Sequence, residues 1–592
     1  MNKHKLENLL DGYAPPEGLN QDTPLILSAE EFTNPSRHTR VSCRYGDGAE
    51  PQFNIYFPPK EQWEGRFYQH THPFWGIDGS SEDLAVHFDG GAYSITIPQG
   101  TFGYITQASA AHVSRTIAKN YYSYDKRIYG YLYGGSGGSM QSIGALEATA
   151  GLVWDGIIPF ITGAPVSIAN FDIRRFARIA LENKAPLIAD AVSPGGSGDV
   201  HALLNDMERE VFDEVTKLGV PIGAWENYEY LLLSYEHPDL IDCINAAGEV
   251  RDDTRTDAVN AETRHTNAVG SELDESYTNS FWNEAGYLES YNPALREIFY
   301  KLRDQGVNES ALAKIAYHRH KDPGAAYYTW NHLRGSNGNP IYAQTGGKHF
   351  GYISSSMCSG GGQWNGKTNC KSIMVVNLMD ADAFPSDGDY YMQRVKEAGR
   401  ESDFRIWLTE NADHHCKHDN HIPALDNRLI NFTGILSQAL KDLSAWVENN
   451  VAPPVSTSYK VADSQLVIEE NAAKRGGIQP KVKLTINGSG YASVSQGDTV
   501  NLSAIIQVPP DTGKIVSAEW DFKGDGGFTE AAFESLNDGS WICSASYTYD
   551  KEGTSLPQIR VASQRNGDPS ALFTRVYNLG RARVVVVRRL RP

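Results

Sequence analysis

Along the first 165 residues, the hydrophobic positions follow strand-like and helix-like periods in turn. Alternation from Val41 to Phe57 predicts a hairpin, and residues 1–40 before it have the composition of an irregular arm. Further strands are predicted at the start of Trp63–Gly76, at Thr101–Gln107, in the first half of Arg127–Glu147 and at Val153–Pro165, with helices at His112–Asn120 and in the second half of Arg127–Glu147. Strands that alternate with helices in this way predict a mainly parallel sheet with helices on both faces.

The pattern changes between Val166 and Gly347, where helical stretches are separated by polar segments. Helices are predicted at Asn170–Glu182, Ala202–Leu218 and Asn292–Leu312, and Glu249–Thr278 is acidic and threonine-rich. Because this region separates two predicted sheet strands, we predict that residues 166–347 form a lid over a cleft. An independent helical domain is the alternative. The aromatic segment Thr278–Tyr291 either lines a substrate pocket or packs the lid.

The sheet pattern returns after residue 347 and gives way to a different β pattern near the C-terminus. A strand at Ser372–Asn377, a helix at Gly388–Gly399, a strand at Phe404–Thr409 and an amphipathic helix at Ile430–Asn449 are predicted. Residues 451–480 are linker-like. Short alternating segments then predict an antiparallel β-sandwich over residues 481–592, with strands at Val482–Ile486, Thr499–Val508, Ile515–Phe522, Trp541–Tyr549, Gln558–Ser563 and Arg581–Val587.

The overall composition limits the class of protein. A chain of 592 residues exceeds the ~250–300 residues that one hydrophobic core serves, so we expect more than one domain. The net charge of −19 argues against a nucleic-acid partner or an anionic membrane surface. No apolar run approaches the ~18–20 residues of a membrane helix. The first residues lack a signal-peptide core, so the protein is either cytoplasmic or a leader has been removed.

The candidate nucleophile is Ser136, in the run Gly134-Gly135-Ser136-Gly137-Gly138. An aromatic strand precedes this run and an apolar helix follows it, which is the context of a G-x-S-x-G nucleophile elbow. Glycines surround such a serine because the backbone is crowded there and φ becomes positive. The Gly137 amide at the helix N-terminus is a predicted oxyanion donor. A flexible linker or a phosphate loop is disfavoured, because ordered elements flank the run and no lysine closes it.

An acid and a histidine follow the serine in the order expected for an α/β-hydrolase triad. Asp380 lies three residues beyond the predicted strand that ends at Asn377, with Asp382 as its rival. His414 lies five residues beyond Thr409, with His415 as its rival. We predict that His414 is the general base toward Ser136 and that Asp380 orients it.

The loop after the strand within Trp63–Gly76 is predicted to supply the second oxyanion donor. Pro73 has no N–H group, so the donor is Thr71 or His72. The pair His70 and His72 also suggests a metal site, as does the run His414–His421, although zinc normally takes ligands from two arms of the chain. We predict no metal at either place.

Six cysteines in so long a chain do not form a disulfide framework. Cys358 and Cys370 bracket a glycine-rich loop, so they either form a local disulfide or remain reduced. Cys543 is alone in its segment, so it is either free or pairs with a cysteine elsewhere.

Three stretches make the catalytic part resemble the tannase and feruloyl esterase group of α/β-hydrolases. Trp63–Gly76 (WEGRFYQHTHPFWG) resembles the strand and oxyanion loop of that family, Tyr121–Pro165 resembles its elbow region, and Asp380–Tyr391 resembles its acid loop. The resemblance implies a large lid between serine and acid, and phenolic esters as substrates. The family commonly has a cysteine before the nucleophile that is bonded to one after the histidine. Here Gly135 takes the first position and Cys416 remains downstream. The lid calcium site of the family is not carried over to residues here.

The C-terminal segment carries a second resemblance. The stretch from Glu519 to Gly526 and the run Tyr547-Thr548-Tyr549 resemble the signatures of a PKD domain, an immunoglobulin-like module that usually accompanies extracellular hydrolases. Secretion or a cell-envelope location is therefore implied. Asp521 and Asp525 suggest a structural calcium ion, but a turn stabilised by side-chain hydrogen bonds is the commoner arrangement.

The sequence thus predicts a serine esterase that forms an acyl-enzyme and requires no cofactor. Its substrate is expected to be a small-molecule or polymer-derived ester. Peptide, amide or lactone hydrolysis on the same triad is the enzymatic alternative. A non-catalytic adhesion or binding protein built on the same fold is the alternative of another class. Oligomeric state is not indicated.

Overall fold

The computed structural model describes most of the sheet-forming part of the chain and nearly all of its C-terminal segment. The described residues are 6, 8–73, 76–98, 100–101, 103–148, 153–164, 170, 173–174, 177–178, 180–232, 293–306, 309, 359–360, 362–416 and 427–588. Within this part, no helix is both long and apolar enough to span a bilayer.

A nine-stranded sheet forms the framework of the first 450 residues. Its spatial order is β1-β2-β3-β5-β4-β6-β7-β8-β9. The strands are β1 Leu25–Phe32, β2 His38–Arg44, β3 Phe53–Phe57, β4 Arg66–His70, β5 Ala92–Thr96, β6 Tyr129–Ser136, β7 Gly156–Thr162, β8 Lys371–Asn377 and β9 Phe404–Thr409. The pairs β1–β2, β2–β3 and β3–β5 are antiparallel, whereas the remaining neighbours from β5 to β9 are parallel. The predicted mainly parallel sheet is confirmed.

Helices cover both faces of this sheet. They are α1 Ser81–Asp89, α2 Ile105–Tyr122, α3 Gly137–Ala148, α4 Ala185–Val192, α5 Asp206–Lys217, α6 Tyr228–Leu231, α7 Pro293–Asp304, α8 Pro385–Glu397 and α9 Thr433–Asn449. Alternate strand residues point into two cores: Leu132 and Ile157 pack with α2, α3 and α8, whereas Tyr131 and Ile158 pack with α9. Strands buried on both faces are continuously apolar, as in β7 (GIIPFIT).

Most predicted elements of this part are confirmed, and two predictions are wrong. Residues 1–40 are not irregular throughout, because β1 pairs with β2 at the sheet edge. Thr101–Gln107 is not a strand, because α2 begins at Ile105 and the strand in this region is β5. Ile105 explains this error. A β-branched apolar residue favours a strand prediction, but in the structure Ile105 is exposed and begins a helix.

The described part of the predicted lid, residues 180–232 and 293–306, is helical. Helix α5 lies within the predicted Ala202–Leu218 and begins with a capping box made by Asn205 and Glu208. Helix α7 lies within the predicted Asn292–Leu312. The segments Glu249–Thr278 and Thr278–Tyr291 lie outside the described residues.

The C-terminal segment consists of three small, mostly antiparallel sheets around its own core. Its strands are β12 Lys481–Ile486, β13 Tyr491–Ser495, β14 Thr499–Gln507, β15 Lys514–Asp521, β16 Thr529–Glu530, β17 Glu534–Ser535, β18 Trp541–Thr548, β19 Gly553–Ser555, β20 Gln558–Gln564, β21 Val576–Arg581 and β22 Arg583–Val587. The six predicted strands are all present. Only β13 and β22 pair in parallel. We call residues 481–588 the C-terminal module.

Residues 451–480 are structured and packed against the sheet domain, so the linker-like composition was misleading. They contain a hairpin, β10 Tyr459–Ala462 and β11 Gln465–Ile468, and a short helix, α10 Ala472–Arg475. The Arg475 side chain is buried and donates to Glu410, immediately after β9, at 2.8 Å. This segment therefore ties the module to the sheet.

The C-terminal module is docked on the sheet domain and on described helices of the predicted lid region. Val576 and Leu579 of β21 belong to the same apolar core as α9. Arg581 donates to Glu226 at 2.6 Å, and Arg583 donates to Asp190 at 2.7 Å. A shared apolar core, the buried Arg581–Glu226 ion pair and the partly exposed Arg583–Asp190 pair hold the module in contact with both parts of the chain.

Candidate active site

Ser136 lies on a sharp turn between a central strand and a helix. It is the last residue of β6, its φ is +53°, and α3 begins at Gly137. A side chain at Gly138 would overlap the Thr71 carbonyl oxygen, and one at Gly134 would lie 2.5 Å from the Gly138 carbonyl oxygen. Only glycine allows backbone segments to approach this closely, so the flanking glycines permit the positive φ at Ser136.

Asp380 is positioned by the turn that follows β8. Its side chain is fully buried, and its Oδ1 accepts hydrogen bonds from the amides of Asp382 (2.8 Å) and Ala383 (2.9 Å). The Asp380 amide itself donates to the Asn377 carbonyl, which closes the turn. The carboxylate is thus held in one orientation by the backbone beside it.

His414 lies on the loop after β9 and faces Asp380. Its Nδ1 is 3.0 Å from both Oδ1 and Oδ2 of Asp380. The two loops are joined, because Asn377 Nδ2 donates to the Asp413 carbonyl at 2.7 Å. Burial alone lowers the pKa of His414, but the carboxylates of Asp380, Asp382 and Asp413 outweigh it and raise that pKa to about 9.

The sheet brings these three residues to one edge. Strands β6, β7, β8 and β9 are consecutive parallel neighbours, and Asn377 at the end of β8 pairs with Thr409 at the end of β9. Ser136 ends β6, whereas Asp380 and His414 follow β8 and β9. Carboxyl ends of parallel strands are where α/β sheets carry their sites. The arrangement is suited to nucleophilic catalysis.

The rival acid, Asp382, has other partners. It forms a buried ion pair with Arg174, and it accepts a hydrogen bond from the Tyr230 hydroxyl at 2.5 Å. The same hydroxyl lies 2.9 Å from Nε2 of His415, the rival histidine. Burial raises the pKa of Asp382, but Arg174, His414 and Tyr230 outweigh it and lower that pKa to about 2.

Arg174 and Tyr230 had no signal in the sequence. Each comes from the predicted lid region, more than 150 residues before Asp382. The Arg174 guanidinium also donates to the carbonyls of Leu231 and Tyr230, at 2.8 and 2.7 Å. The network therefore attaches described residues of the predicted lid region to the loops that carry Asp382 and His415.

The loop after β4 lies against the elbow. The Thr71 amide donates to the Tyr133 carbonyl at 2.9 Å, which continues the β4–β6 ladder. It is therefore not available to an oxyanion, and of the two predicted donors only His72 remains. A side chain at Gly137 would lie 2.9 Å from Cγ of Pro73, so this loop and the start of α3 are in close contact.

The histidines of this loop belong to a buried polar cluster. His70 Nδ1 lies 3.2 Å from Asp83, and Tyr133 donates to the same Asp83 oxygen at 3.2 Å. Burial, followed by the neighbouring His70 and His414, lowers the pKa of His72 to about 3, so His72 is neutral. Among the described residues no cluster of metal-ligating side chains is found. His418, Asp419 and His421 lie outside the described residues.

The described cysteines carry free thiols. Cys370 is free, so the alternative of a Cys358–Cys370 disulfide is not realised, and Cys358 lies outside the described residues. Cys543 is free and buried in the C-terminal module, and Cys416 is free on the loop that carries His414. In the module, the Asp521 carboxylate accepts backbone amides from residues 523–526 and the amide of Gln558. This is the predicted side-chain-stabilised turn.

Comparison with known proteins gives distant structural likeness only. No protein-family model matches the chain, and no curated protein matches it. Among solved structures it is similar to tannin acyl hydrolase from Aspergillus niger, with 14% identity, 80% of this chain and 92% of that chain covered, and a TM-score of 0.38. Feruloyl esterase B from Aspergillus oryzae gives 14% identity, 76% and 92% coverage, and a TM-score of 0.34. Candida antarctica lipase A in its closed state gives 11% identity, 78% and 90% coverage, and a TM-score of 0.30. At these scores the likeness carries no functional argument.

Proposed function

We propose that this chain is a serine hydrolase that cleaves carboxylic esters through an acyl-enzyme. The observation that carries the proposal is the elbow: Ser136 has a positive φ between a buried strand and a helix, at the sheet edge where His414 and Asp380 are hydrogen-bonded. A strained serine beside an oriented histidine is what nucleophilic acyl transfer requires.

In the proposed mechanism the Ser136 hydroxyl attacks the ester carbonyl carbon. Its proton passes to Nε2 of His414, and Asp380 keeps the other proton on Nδ1 and stabilises the imidazolium. The negative oxygen of the tetrahedral intermediate accepts hydrogen bonds from the amides of Gly137 and His72. His414 then protonates the leaving alcohol. In deacylation, water attacks the acyl carbonyl carbon and gives its proton to His414. The acid product then leaves, and His414 returns the proton to the Ser136 oxygen.

The protonation states of the site support this assignment. His72 stays neutral because its pKa is low, so the oxyanion is met by amide dipoles and not by a second imidazolium. The raised pKa of His414 makes it a strong base once it is deprotonated. Activity therefore depends on a neutral His414 and should be greatest at alkaline pH.

Several finer assignments belong to the proposal. The resemblance of Trp63–Gly76 and Asp380–Tyr391 to the tannase and feruloyl esterase group makes phenolic esters the first substrates to test. Residues 166–347 are proposed as the lid that closes over the substrate. The resemblance of Glu519–Gly526 and of the run Tyr547-Thr548-Tyr549 to PKD signatures is the reason to propose a secreted or cell-envelope enzyme.

The proposal is tested by covalent labelling with a fluorophosphonate probe. Intact mass should show a single adduct, peptide mapping should place it on Ser136, and the matched Ser136→Ala variant should take none. Ester, amide and lactone panels on the unlabelled enzyme then define the reaction, with the labelled enzyme as the inactivated control. A folded protein that takes no label would overturn the serine mechanism and favour a binding protein.

A further inference from the structure

A cavity of about 490 Å³ lies between the sheet domain and the C-terminal module. The sheet domain lines it with residues around His415, Cys416 and Ile430, and the module lines it with Arg560, Leu572, Phe573, Arg575 and Tyr577. Small-molecule sites typically measure about 300–1,000 Å³, so the cavity has the size of a ligand site.

The cavity adjoins the loop that carries the proposed catalytic histidine. The rings of His414 and His415 are 5.4 Å apart, so the histidine loop contributes directly to the wall. On the same wall, Phe432 lies between the lining residues Asn431 and Thr433, and its ring is 6.4 Å from that of Phe160. The Phe160 ring in turn packs against Gly135, next to Ser136. A molecule in this cavity would therefore contact the loop that carries His414.

The module side of the cavity combines two exposed apolar side chains with two arginines. Leu572 and Phe573 are 62% and 41% exposed. Both lie on the turn that precedes β21. They offer a contact surface to an apolar ligand.

The two arginines of the cavity differ in their partners. Arg560 is 2.9 Å from Glu519 and lies over the Phe528 ring, so its charge is already compensated. Arg575 donates from Nη2 to the Pro569 carbonyl, and its Nε is buried without an acceptor among the described residues. Within that part of the chain Arg575 has no carboxylate partner. Among the described residues of the lining, the acidic side chain is that of Glu82, which is exposed.

We propose that this cavity binds the carboxylate-bearing end of an anionic ester substrate, with Arg575 pairing with the carboxylate. Leu572 and Phe573 would cover the apolar part of the molecule. Guanidinium groups recognise carboxylates through paired, charge-assisted hydrogen bonds. The inference rests on the proposed esterase function. It makes the C-terminal module a wall of the substrate site and not only a spacer.

The test compares two activated esters with the same carbon chain, 4-nitrophenyl hydrogen adipate and 4-nitrophenyl hexanoate. Wild-type protein should have the higher kcat/KM for the adipate monoester. Arg575→Gln should lower that kcat/KM by about tenfold or more, because it removes a charge-assisted hydrogen bond. Hexanoate hydrolysis should change by less than about twofold, since no charge is involved. Arg575→Lys should restore part of the loss.

Arg560→Gln is the matched control in the same cavity. Because Glu519 already compensates Arg560, this variant should leave the preference for adipate largely intact. An equal loss in Arg560→Gln, an equal loss on both esters in Arg575→Gln, or equal use of the two esters by wild-type protein would overturn the assignment.

A binding measurement separates this inference from the proposed function. Free adipate should bind the Ser136→Ala variant in calorimetry, and binding should be lost when Arg575→Gln is added. If neither ester is hydrolysed but adipate still binds through Arg575, the esterase proposal fails and the anion site stands. If adipate binds equally with and without Arg575, the anion site fails.

Discussion

The buried residues Asp380 and Asp382 should lose different properties when each is changed to asparagine. Asp380 contacts His414 through both carboxylate oxygens at 3.0 Å, whereas Asp382 pairs with Arg174 and Tyr230. Changing each to asparagine keeps the shape and removes the charge. We expect Asp380→Asn to abolish catalysis and Asp382→Asn to weaken folding.

The expected loss for Asp380→Asn follows from the hydrogen bonds around it. Oδ1 already accepts the amides of Asp382 and Ala383. An asparagine would keep its oxygen there and turn its NH₂ group toward His414. That favours the histidine tautomer with the proton on Nε2, which cannot accept the Ser136 proton. The comparable change in the trypsin triad costs about 10⁴-fold in kcat, and we expect a similar loss here.

The expected loss for Asp382→Asn is in stability. The Arg174 side chain is 2% exposed and that of Asp382 is 8% exposed. Removing one partner of a buried ion pair leaves the other charge uncompensated, at a cost of about 3–5 kcal/mol. The folded fraction should retain most of its activity, because Asp382 does not contact Nδ1 of His414.

The assay combines ester kinetics with urea unfolding for the wild type and both variants. Activity is expressed per folded molecule, and the free energy of unfolding comes from the urea midpoint and slope. If Asp382→Asn loses activity in the folded state while Asp380→Asn keeps it, the acid has been assigned to the wrong residue. Equal effects of the two variants on both quantities would also refute the reasoning.

Two further predictions concern pH and domain docking. His414 must be neutral to act, and its pKa is raised to about 9. We therefore expect kcat/KM to fall as the pH drops through that value. A pH–rate profile whose acid limb lies near the ordinary histidine pKa would contradict this. Gly434→Ala should lower the free energy of unfolding by about 1–3 kcal/mol, because its Cβ would overlap the Arg575 carbonyl oxygen. The control is Gly490→Ala, because a Cβ there meets no atom. If both variants lower the free energy of unfolding in urea equally, close docking of the module at Gly434 is refuted.

Sequence patterns predicted strands correctly where burial of one or both faces imposes a regular spacing of apolar residues. The predicted strand Phe404–Thr409 has the same bounds in the structure, and each predicted strand of the C-terminal module is found within a few residues. Alternating or continuous apolar runs between turn residues are enough for this, since they depend on neighbours a few positions away.

Sequence patterns failed where a distant partner decides the outcome. Strand β1 is held by pairing with β2, and the start of α2 looks like a strand in isolation. Residues 451–480 have a linker-like composition, yet Arg475 within them is buried against Glu410. In each case long-range contacts outweigh a weak local preference.

By itself, the sequence determined most of the sheet strands along the chain and the candidate residues Ser136, Asp380 and His414, because elbow glycines and strand ends are local signals. Only the tertiary structure decided that Asp380 and not Asp382 faces His414, since the partners of Asp382 come from a region far away along the chain. It also decided that the C-terminal module forms a wall next to the histidine loop. Such contacts depend on strand order and domain docking, which no local pattern contains.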